Sequence, residues 1–192
     1  MFSDESTFSQ FQQNNCSRVW RKPSEEFQQD CLSVTVKHSP SQMYWDCFCY
    51  HGLGPIIPLQ GSITGAIHAE TLEKHAIPAL LRFYPKGNGV FQEDNATPHT
   101  ARVATAVHDS AGIKVLTWPP QSPDLNPIEH IWYEMKKSIH QQNFKPTSLS
   151  DLEQYVKEAW KSIPPEYYKK LIDTMPNRIK ACIEASGYIT KY

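Results

Sequence analysis

The chain has 192 residues, 40% of them hydrophobic and 11% aromatic, which supports a packed core in one large domain and excludes a disordered or fibrous protein. Its formal net charge is −1, so no strong overall field attracts it to nucleic acid or to a charged membrane surface. The sequence contains no apolar run of the roughly 18–20 residues that a membrane span needs, and its first residues have neither the basic nor the apolar region of a secretory signal.

The first sixty residues predict β-strands. Short β-branched or aromatic runs occupy residues 17–22, 33–38 and 43–50, and polar residues and proline separate them. A further apolar run covers residues 55–60, and residues 1–4 are predicted to be the end of the first strand. This pattern indicates an antiparallel meander.

The spacing of apolar residues then changes to that of helices alternating with short strands. Thr97-Pro98 and Asn126-Pro127 are helix-start signals, because a polar cap precedes a proline at the first helical position. Strands are predicted over residues 90–94 and 113–117. Helices are predicted over residues 66–83, 97–110, 126–141, 148–162 and 166–186.

This order of elements predicts the fold class. Strands followed by alternating helices and strands indicate an α/β (α+β) chain with a mixed sheet. An antiparallel meander followed by two βα units is typical of the ribonuclease-H-like architecture. We therefore expect a single domain with a mixed sheet flanked by helices in a core over residues 1–141, and a helical C-terminal tail over residues 148–186.

Three acidic residues lie at the boundaries of the predicted elements. Asp4 ends the first predicted strand, Asp94 ends the strand after the first helix, and Glu129 lies in the first turn of the helix after a proline-rich loop. Because neighbouring strand ends converge in a mixed sheet, these carboxylates can meet in one cleft. Carboxylates without His or Cys partners suit Mg²⁺ or Mn²⁺. Two such ions can hold the attacking and leaving oxygens of a phosphodiester displacement.

Four stretches of the sequence carry a family resemblance. They are SDESTF (3–8), RVWRKP (18–23), FQEDNATPHTA (91–101) and WPPQSPDLNPIEHIWYEMKKSI (118–139). These stretches resemble the Tc/mariner superfamily of DNA transposases. Asp94 and Glu129 are 35 positions apart, and Asp4 precedes Asp94 by 90. This spacing is similar to that of the Tc branch, whose third acid is a glutamate in an NPIE-type motif.

The resemblance implies that Asp4, Asp94 and Glu129 are the catalytic residues and the ligands of two Mg²⁺ or Mn²⁺ ions. It implies a nuclear transposase that cuts double-stranded DNA at transposon ends and joins the freed 3′-hydroxyls to target DNA, without a nucleotide cofactor. A homodimer is the assembly that it implies. Family members carry helix-turn-helix modules before the catalytic domain, and we expect these modules to be absent from this chain. The alternative is therefore a catalytically inert, transposase-derived module that binds DNA or protein.

Each acid also has a structural interpretation. Glu129 lies three residues after Asn126, where a glutamate can complete a capping box. Asp94 could make an ordinary turn after a strand. Asp4 could be a polar residue near a terminus.

Two residues near Asp94 are candidates for supporting it. Asn95 is expected to hold the adjacent loop. His99 could orient a carboxylate or the substrate, or it could make only structural contacts. Asp124 is rejected as a member of the acidic triad, because it follows Asp94 by 30 positions.

The cysteines predict buried, reduced thiols. Cys47, Cys49 and His51 alternate on one predicted strand and could suggest zinc, but three local ligands fall short of the four that a structural site usually has. Five cysteines form an odd set without framework spacing, which indicates an intracellular compartment.

Contacts with DNA are expected at its phosphates, through a local basic surface. Residues 1–100 carry 7 Lys and Arg against 10 Asp and Glu, whereas residues 101–192 carry 12 against 10. The candidate residues lie in this second part and are Lys114, Lys136, Lys137 and Arg178.

Two features depart from the family pattern. The first strand is predicted to be clipped, because three residues precede Asp4. Asp46 stands where the family commonly has glycine.

Overall fold

The computed structural model describes residues 1–10, 22–25, 28, 39–120, 122–142, 146–188 and 190–192. The predicted strand at residues 33–38 and all but the last residue of the one at 17–22 lie outside the described residues. The strands in chain order are β1 (Phe2–Ser9), β2 (Ser41–Cys49), β3 (Gly52–Leu59), β4 (Val90–Phe91) and β5 (Lys114–Val115). The helices are α1 (Gly65–Thr71), α2 (Ile77–Phe83), α3 (Arg102–Ala111), α4 (Ile128–Gln141), α5 (Leu149–Ser162), α6 (Pro165–Asp173) and α7 (Met175–Glu184). Short 3-10 turns cover Pro23–Glu25 and Pro123–Leu125.

The described strands form a mixed sheet in the order β3-β2-β1-β4-β5. The first three strands pair antiparallel, and β4 pairs parallel with β5. A parallel bridge between Phe2 and Gln92 joins the two groups. The Ser3 amide donates to the Gln92 carbonyl at 3.1 Å, and the Gln92 amide donates to the Met1 carbonyl at 2.8 Å. The predicted antiparallel pairing is therefore confirmed for the strands that the structure describes, as are the βα units that follow, with β1 in the centre of the sheet.

Strand β1 is longer than the sequence predicts. It runs to Ser9, and all eight of its residues pair with β2. Asp4 is consequently the third residue of a full central strand and does not end a clipped one. The sequence FSDESTFS does not alternate between apolar and polar residues, as a half-buried strand usually does. Its buried positions include polar Ser6 as well as Phe8, while Thr7 between them is exposed.

Different helices cover the two faces of the sheet. On one face, α4 and α5 pack on Phe8, Tyr44 and Phe48. On the other face, α1, α2 and α3 pack with Trp45 and Cys47. Because successive side chains of a strand point to opposite faces, the run of six buried residues at the end of β2 supplies both cores.

The first predicted helix, at residues 66–83, is confirmed with an irregularity in its middle. Thr64 caps α1 by accepting a hydrogen bond from the Ile67 amide at 3.3 Å. A π-helical turn, Leu72–Ala76, then joins α1 to α2. Pro78 is the second residue of α2 and has no amide hydrogen to donate back into this turn, which accounts for the widened turn.

Helix α3 begins later than its sequence signal predicts. The Thr97-Pro98 pair starts a turn over residues 97–100, and the helix itself begins at Arg102. In this turn His99 is buried, and its amide donates to the Ala96 carbonyl at 2.9 Å. The His99 side chain contacts Glu5 and Asp94, and these contacts hold residues 97–100 in a turn that is separate from α3.

The predicted helix at residues 166–186 is two helices. The chain bends at Thr174, between α6 and α7, and Pro176 lies in the first turn of α7. Proline cannot donate to the carbonyl of the preceding turn, so a single helix cannot continue through this position.

Buried Arg178 joins α7 to the loop before α4. It is 1% exposed, and its guanidinium donates to the Asp124 carbonyl at 2.6 Å and to Thr174 Oγ1 at 2.9 Å. It also lies over the Tyr192 ring, 4.9 Å from its centroid. The hypothesis that Arg178 contacts DNA phosphates is therefore wrong for this structure, because the charge is buried and already bonded.

The described cysteines are free thiols. Cys47 and Cys49 are buried, and Cys182 is partly exposed. Among the described residues, no helix is long and apolar enough to cross a bilayer.

We predict that Arg178→Met lowers the free energy of unfolding by about 2–3 kcal/mol, because it removes hydrogen bonds from a charged donor and leaves the Asp124 carbonyl without one. Lys180→Met on the same helix is the control, since Lys180 is 73% exposed and its ion pair with Glu184 spans 3.8 Å. The control is expected to change stability by less than about 0.5 kcal/mol. Urea unfolding of both variants makes the comparison, and equal effects would contradict the structural role of Arg178.

Candidate active site

Asp4 lies on the face of the sheet that α4 covers. Its Oδ1 accepts a hydrogen bond from the Glu5 amide at 2.7 Å, and its Oδ2 accepts one from Asn126 Nδ2 at 3.1 Å. Asn126 precedes α4 and also donates to the Ser3 carbonyl at 3.4 Å. This asparagine therefore connects the start of α4 to the central strand at the position of Asp4.

Asp94 follows β4 and is bonded within its own loop. Its Oδ1 accepts a hydrogen bond from the Ala96 amide at 2.8 Å and pairs with His99 Nδ1 at 2.6 Å. The side chain remains 44% exposed. Asn95 Nδ2 donates to the Trp118 carbonyl at 2.5 Å, which joins this loop to the segment after β5.

Glu129 is an exposed residue in the first turn of α4. The helix begins at Ile128, with Pro127 at its N-cap, and Asn126 Oδ1 accepts a hydrogen bond from the Ile128 amide at 3.3 Å. The capping-box interpretation of Glu129 is wrong, because the helix starts too late for Glu129 to lie three residues after the cap.

The electrostatic surroundings of Asp4 include the other two acids. Burial raises this pKa to about 7, against the hydrogen bond from the Glu5 amide, and the negative charges of Glu5, Asp94 and Glu129 raise it further. Partial burial likewise raises the pKa of Glu129, although Lys136 acts against this rise. Asp4 therefore lies among other acids, and the groups that donate hydrogen bonds to it are neutral.

A fourth acid, Asp46, lies opposite Asp4 on β2. It is fully buried, and its Oδ2 accepts a hydrogen bond from Trp132 Nε1 of α4 at 2.9 Å. Its Oδ1 finds no hydrogen-bond partner among the described residues. Burial raises the pKa of Asp46 well above its ordinary value, and the charges of Asp4 and Glu5 add to that rise. Burial therefore disfavours the ionised form of Asp46, whose hydrogen bond with Trp132 joins β2 to α4.

Behind Asp94, on the opposite face of the sheet, acids and imidazoles alternate in a buried chain. His99 Nε2 contacts Glu5 Oε1 at 3.2 Å, and His68 Nδ1 lies 3.7 Å from the same oxygen. His68 Nε2 and His108 Nε2 then each contact one oxygen of Glu93 at 2.9 Å. Together with the His99–Asp94 contact, these pairs form a chain in the order Asp94, His99, Glu5, His68, Glu93 and His108.

The charges of this chain compensate one another. Burial opposes protonation of His99, but hydrogen bonds with Asp94 and Glu5 outweigh it and raise the pKa of His99 to about 10. Burial also opposes ionisation of Glu93, yet hydrogen bonds from His108 and His68 lower its pKa to about 2. The hydrogen bond from His99 lowers the pKa of Asp94 as well. Asp94 is consequently ionised and oriented, whereas Asp4 on the other face is not stabilised in this way.

The site contains residues that the sequence-based interpretation missed. The sequence identifies Asn126 only as a helix cap. Glu5 and Glu93 are adjacent in sequence to Asp4 and Asp94, and a pair of consecutive acids on a strand must point to opposite faces. The consecutive acids are therefore the feature of the sequence that indicates polar side chains on both faces of the sheet. His68 had no local signal, because it lies on an otherwise apolar helix face.

The remaining basic candidates for DNA contact occupy different environments. Lys114 on β5 is exposed. Lys137 is 48% exposed and lies 3.6 Å from Glu134. Lys136 is half-buried and donates to Ser6 Oγ at 2.9 Å, and burial lowers its pKa while Glu129 and Asp46 act to raise it. Lys136 is therefore the basic candidate nearest to the three acids.

Comparison with known proteins identifies the family. Residues 1–153 match the model of the DDE superfamily endonuclease family. The chain is 35% identical to the Tc1 transposase of Caenorhabditis elegans over its full length, which is 70% of that protein. It is 33% identical, with the same coverage, to the Tcb1 transposase of Caenorhabditis briggsae.

Solved structures show the same fold at lower identity. The Mos1 transposase in a paired-end complex with the left transposon end matches with a TM-score of 0.83 at 20% identity, over 98% of this chain and 55% of that one. The catalytic domain of Mos1 mariner transposase matches with a TM-score of 0.70 at 24% identity, over 79% of this chain and 76% of that one. The ribonuclease-H-like fold expected from the sequence is thus confirmed. On the family match, the identities and the site geometry together, this chain belongs to the DDE superfamily endonucleases and is a member of the Tc/mariner transposases.

Proposed function

We propose that this chain is the catalytic domain of a DNA transposase that cuts transposon ends and joins the 3′-hydroxyls to target DNA. Asp4, Asp94 and Glu129 are its metal ligands and catalytic residues. The observation that carries the proposal is the placement of the acids: Asp4 is bonded to Asn126 at the start of α4, the helix whose first turn carries Glu129. Asp94 follows β4, which the Phe2–Gln92 bridge joins to the strand of Asp4. Acids from a central strand, a strand end and a helix start therefore act on one another across one region.

The donor set fits two Mg²⁺ or Mn²⁺ ions. All three side chains offer carboxylate oxygens, which are the ligands that these ions prefer. When bound, the ions supply Lewis-acid activation of a water or 3′-hydroxyl and neutralise charge on the phosphodiester. Crystal structures of the Mos1 mariner paired-end complex contain Mn or Mg, which supports extending this metal use to the present chain.

The surrounding residues have positioning roles in this proposal. Asn126 holds the Asp4 carboxylate and the start of α4 in one arrangement. His99 holds Asp94 ionised and turned toward its loop amide. Lys136 lies near Glu129, where its ammonium group can contact a phosphate. These contacts keep the ligands pre-oriented for binding and chemistry.

Double-stranded DNA is the proposed partner, both as transposon ends and as target. The Mos1 paired-end complex holds a transposon end, and a pair of ends supports a homodimeric assembly for the present chain. The chain spans just over half the length of the Mos1 chain in that complex.

We predict that Mn²⁺ or Mg²⁺ raises the melting temperature more at pH 8 than at pH 6, because Asp4, with its pKa of about 7, must lose its proton to bind a cation. Without metal, stability should fall over this range. The folded Asp4 binds its proton more tightly than the unfolded group, so the native state holds more protons between the two pKa values. His99, whose raised pKa is about 10, contributes in the same direction.

Thermal melting at both pH values, with Asp4→Asn beside the wild type, isolates the contribution of Asp4. The variant keeps the effect of His99 but should show a weaker dependence on pH and a smaller response to metal. Melting curves that metal leaves unchanged at both pH values would contradict the proposed metal site.

For the chemistry, we predict that Asp94→Asn and Glu129→Gln each reduce Mn²⁺-dependent nicking of supercoiled DNA by more than about 100-fold, because each removes an anionic metal ligand while keeping the side-chain shape. Asn126→Ala should cost about 10- to 100-fold, as a residue that orients a ligand. Glu134→Gln, one to two turns further along α4, is the control that should retain activity. If the Asp94 and Glu129 variants nick DNA at the wild-type rate, the acids are structural and the chain is an inert binding module.

For DNA binding, we predict weak binding to phosphates that does not distinguish inverted-repeat DNA from a scrambled duplex and is largely lost by about 200 mM salt. Lys137→Gln should weaken binding to both duplexes equally and reduce the slope of log affinity against log salt by about 1. Fluorescence anisotropy at two salt concentrations tests both points. A preference of about tenfold or more for one duplex, roughly 1.4 kcal/mol, would show that these residues read sequence.

A further inference from the structure

Three buried metal-ligand side chains from three elements meet behind β4. His68 lies on α1, Glu93 follows β4, and His108 lies on α3, with exposures of 1%, 7% and 5%. Each histidine Nε2 lies 2.9 Å from a different oxygen of Glu93. The ligand atoms of the three residues are all within 4.8 Å of one another. They lie on the opposite face of the sheet from Asp4 and Glu129.

This arrangement has the donors and spacing of a transition-metal site. Zinc binds histidine nitrogen and carboxylate oxygen at about 2.0–2.2 Å, which places tetrahedral ligand atoms roughly 3.3–3.5 Å apart. The two contacts of Glu93, at 2.9 Å, need to open slightly to admit an ion, while the imidazoles move closer together. Two histidines and a glutamate leave one position open for water, which is a known zinc ligand set.

The neighbouring residues support a metal at this place. His68 Nδ1 faces Glu5 Oε1 at 3.7 Å, and a carboxylate behind the second ring nitrogen is the usual support for a histidine that binds a metal. Buried His108 Nδ1 has no hydrogen-bond partner among the described residues, so the hydrogen bonds of the apo protein do not fully satisfy this ring. A cavity of about 380 Å³, lined by both Glu93 and His108, offers a route of entry and room for a water ligand.

We propose that His68, Glu93 and His108 form a binding site for a single borderline transition-metal ion such as Zn²⁺, separate from the carboxylate site for Mg²⁺ or Mn²⁺. Imidazole ligands favour Zn²⁺ or Co²⁺, whereas Mg²⁺ prefers oxygen ligands. The ion connects α1, the end of β4 and α3 directly behind Asp94. Its role is to stabilise the loop that carries Asp94, and it does not depend on whether the chain cuts DNA.

The test uses the full chain carrying Asp94→Asn and Glu129→Gln, which removes two ligands of the carboxylate site. Titration with Co²⁺ is followed by visible absorption, because tetrahedral Co²⁺ gives an intense spectrum, and Zn²⁺ is then added as a competitor. We expect one equivalent of Co²⁺ with a nitrogen–oxygen spectrum, displaced by Zn²⁺ but not by excess Mg²⁺. Zn²⁺ should also raise the melting temperature of this protein.

Substitutions of the ligands locate the ion. His68→Gln and His108→Phe are each expected to weaken Zn²⁺ binding by at least about 100-fold, since losing a ligand costs more than losing its support. Phenylalanine keeps the ring of His108 against Phe91, where the centroids are 5.6 Å apart. His75→Gln, in the π-helical turn that continues α1, is the matched control and should bind Zn²⁺ as the parent does.

Several outcomes overturn the proposal. The first is the absence of Co²⁺ binding together with no rise in melting temperature. The second is a thiolate-to-cobalt charge-transfer band, which would assign the ion to cysteines. The third is metal binding that survives both ligand substitutions. The first outcome needs no substitution within the cluster, so it remains decisive if the ligand variants fail to fold. It would also show that the three residues form an ion-paired cluster only.

Discussion

The alternation of side chains along β1 is the constraint on which the site depends. Asp4 and Glu5 are consecutive residues of a central strand, so they must point to opposite faces of the sheet. Asp4 consequently meets Asn126 and α4, while Glu5 meets the imidazoles of His68 and His99. A register shift of one residue would exchange these two environments. Pairing of all eight residues of β1 with β2 fixes the register and keeps each acid on its own face.

The two faces treat negative charge in opposite ways. Behind the sheet, each buried carboxylate has an imidazole partner, and the pKa of Glu93 is held near 2. On the front, Asp4 gains only neutral hydrogen-bond donors and has other acids nearby, so its pKa rises to about 7. Uncompensated carboxylates are costly in a folded protein unless a cation is bound. Asp94 lies at the boundary, since His99 fixes its orientation while the side chain stays partly exposed.

Helix α4 is held against the central strands by polar contacts as well as by its apolar face. Asn126 binds Asp4 at one end of the contact, and Trp132 donates to Asp46 six residues further on. Asp46 is fully buried on β2, and its hydrogen bond with Trp132 is a polar link between this strand and the helix. Glu129 lies between Asn126 and Trp132 in sequence. These two contacts therefore jointly set the position of Glu129 relative to Asp4.

The sequence by itself determined the order of elements, the mixed sheet and the three acids with their family spacing. These features depend on local periodicity and on short motifs, which a single chain displays directly. The full length of β1 and the burial of Arg178 were decided by tertiary structure, because each depends on what packs against a locally polar segment. The same holds for the cluster of His68, Glu93 and His108. Its members are 25 and 15 residues apart along the chain, and only the packing of α1 and α3 on one face of the sheet brings their side chains together.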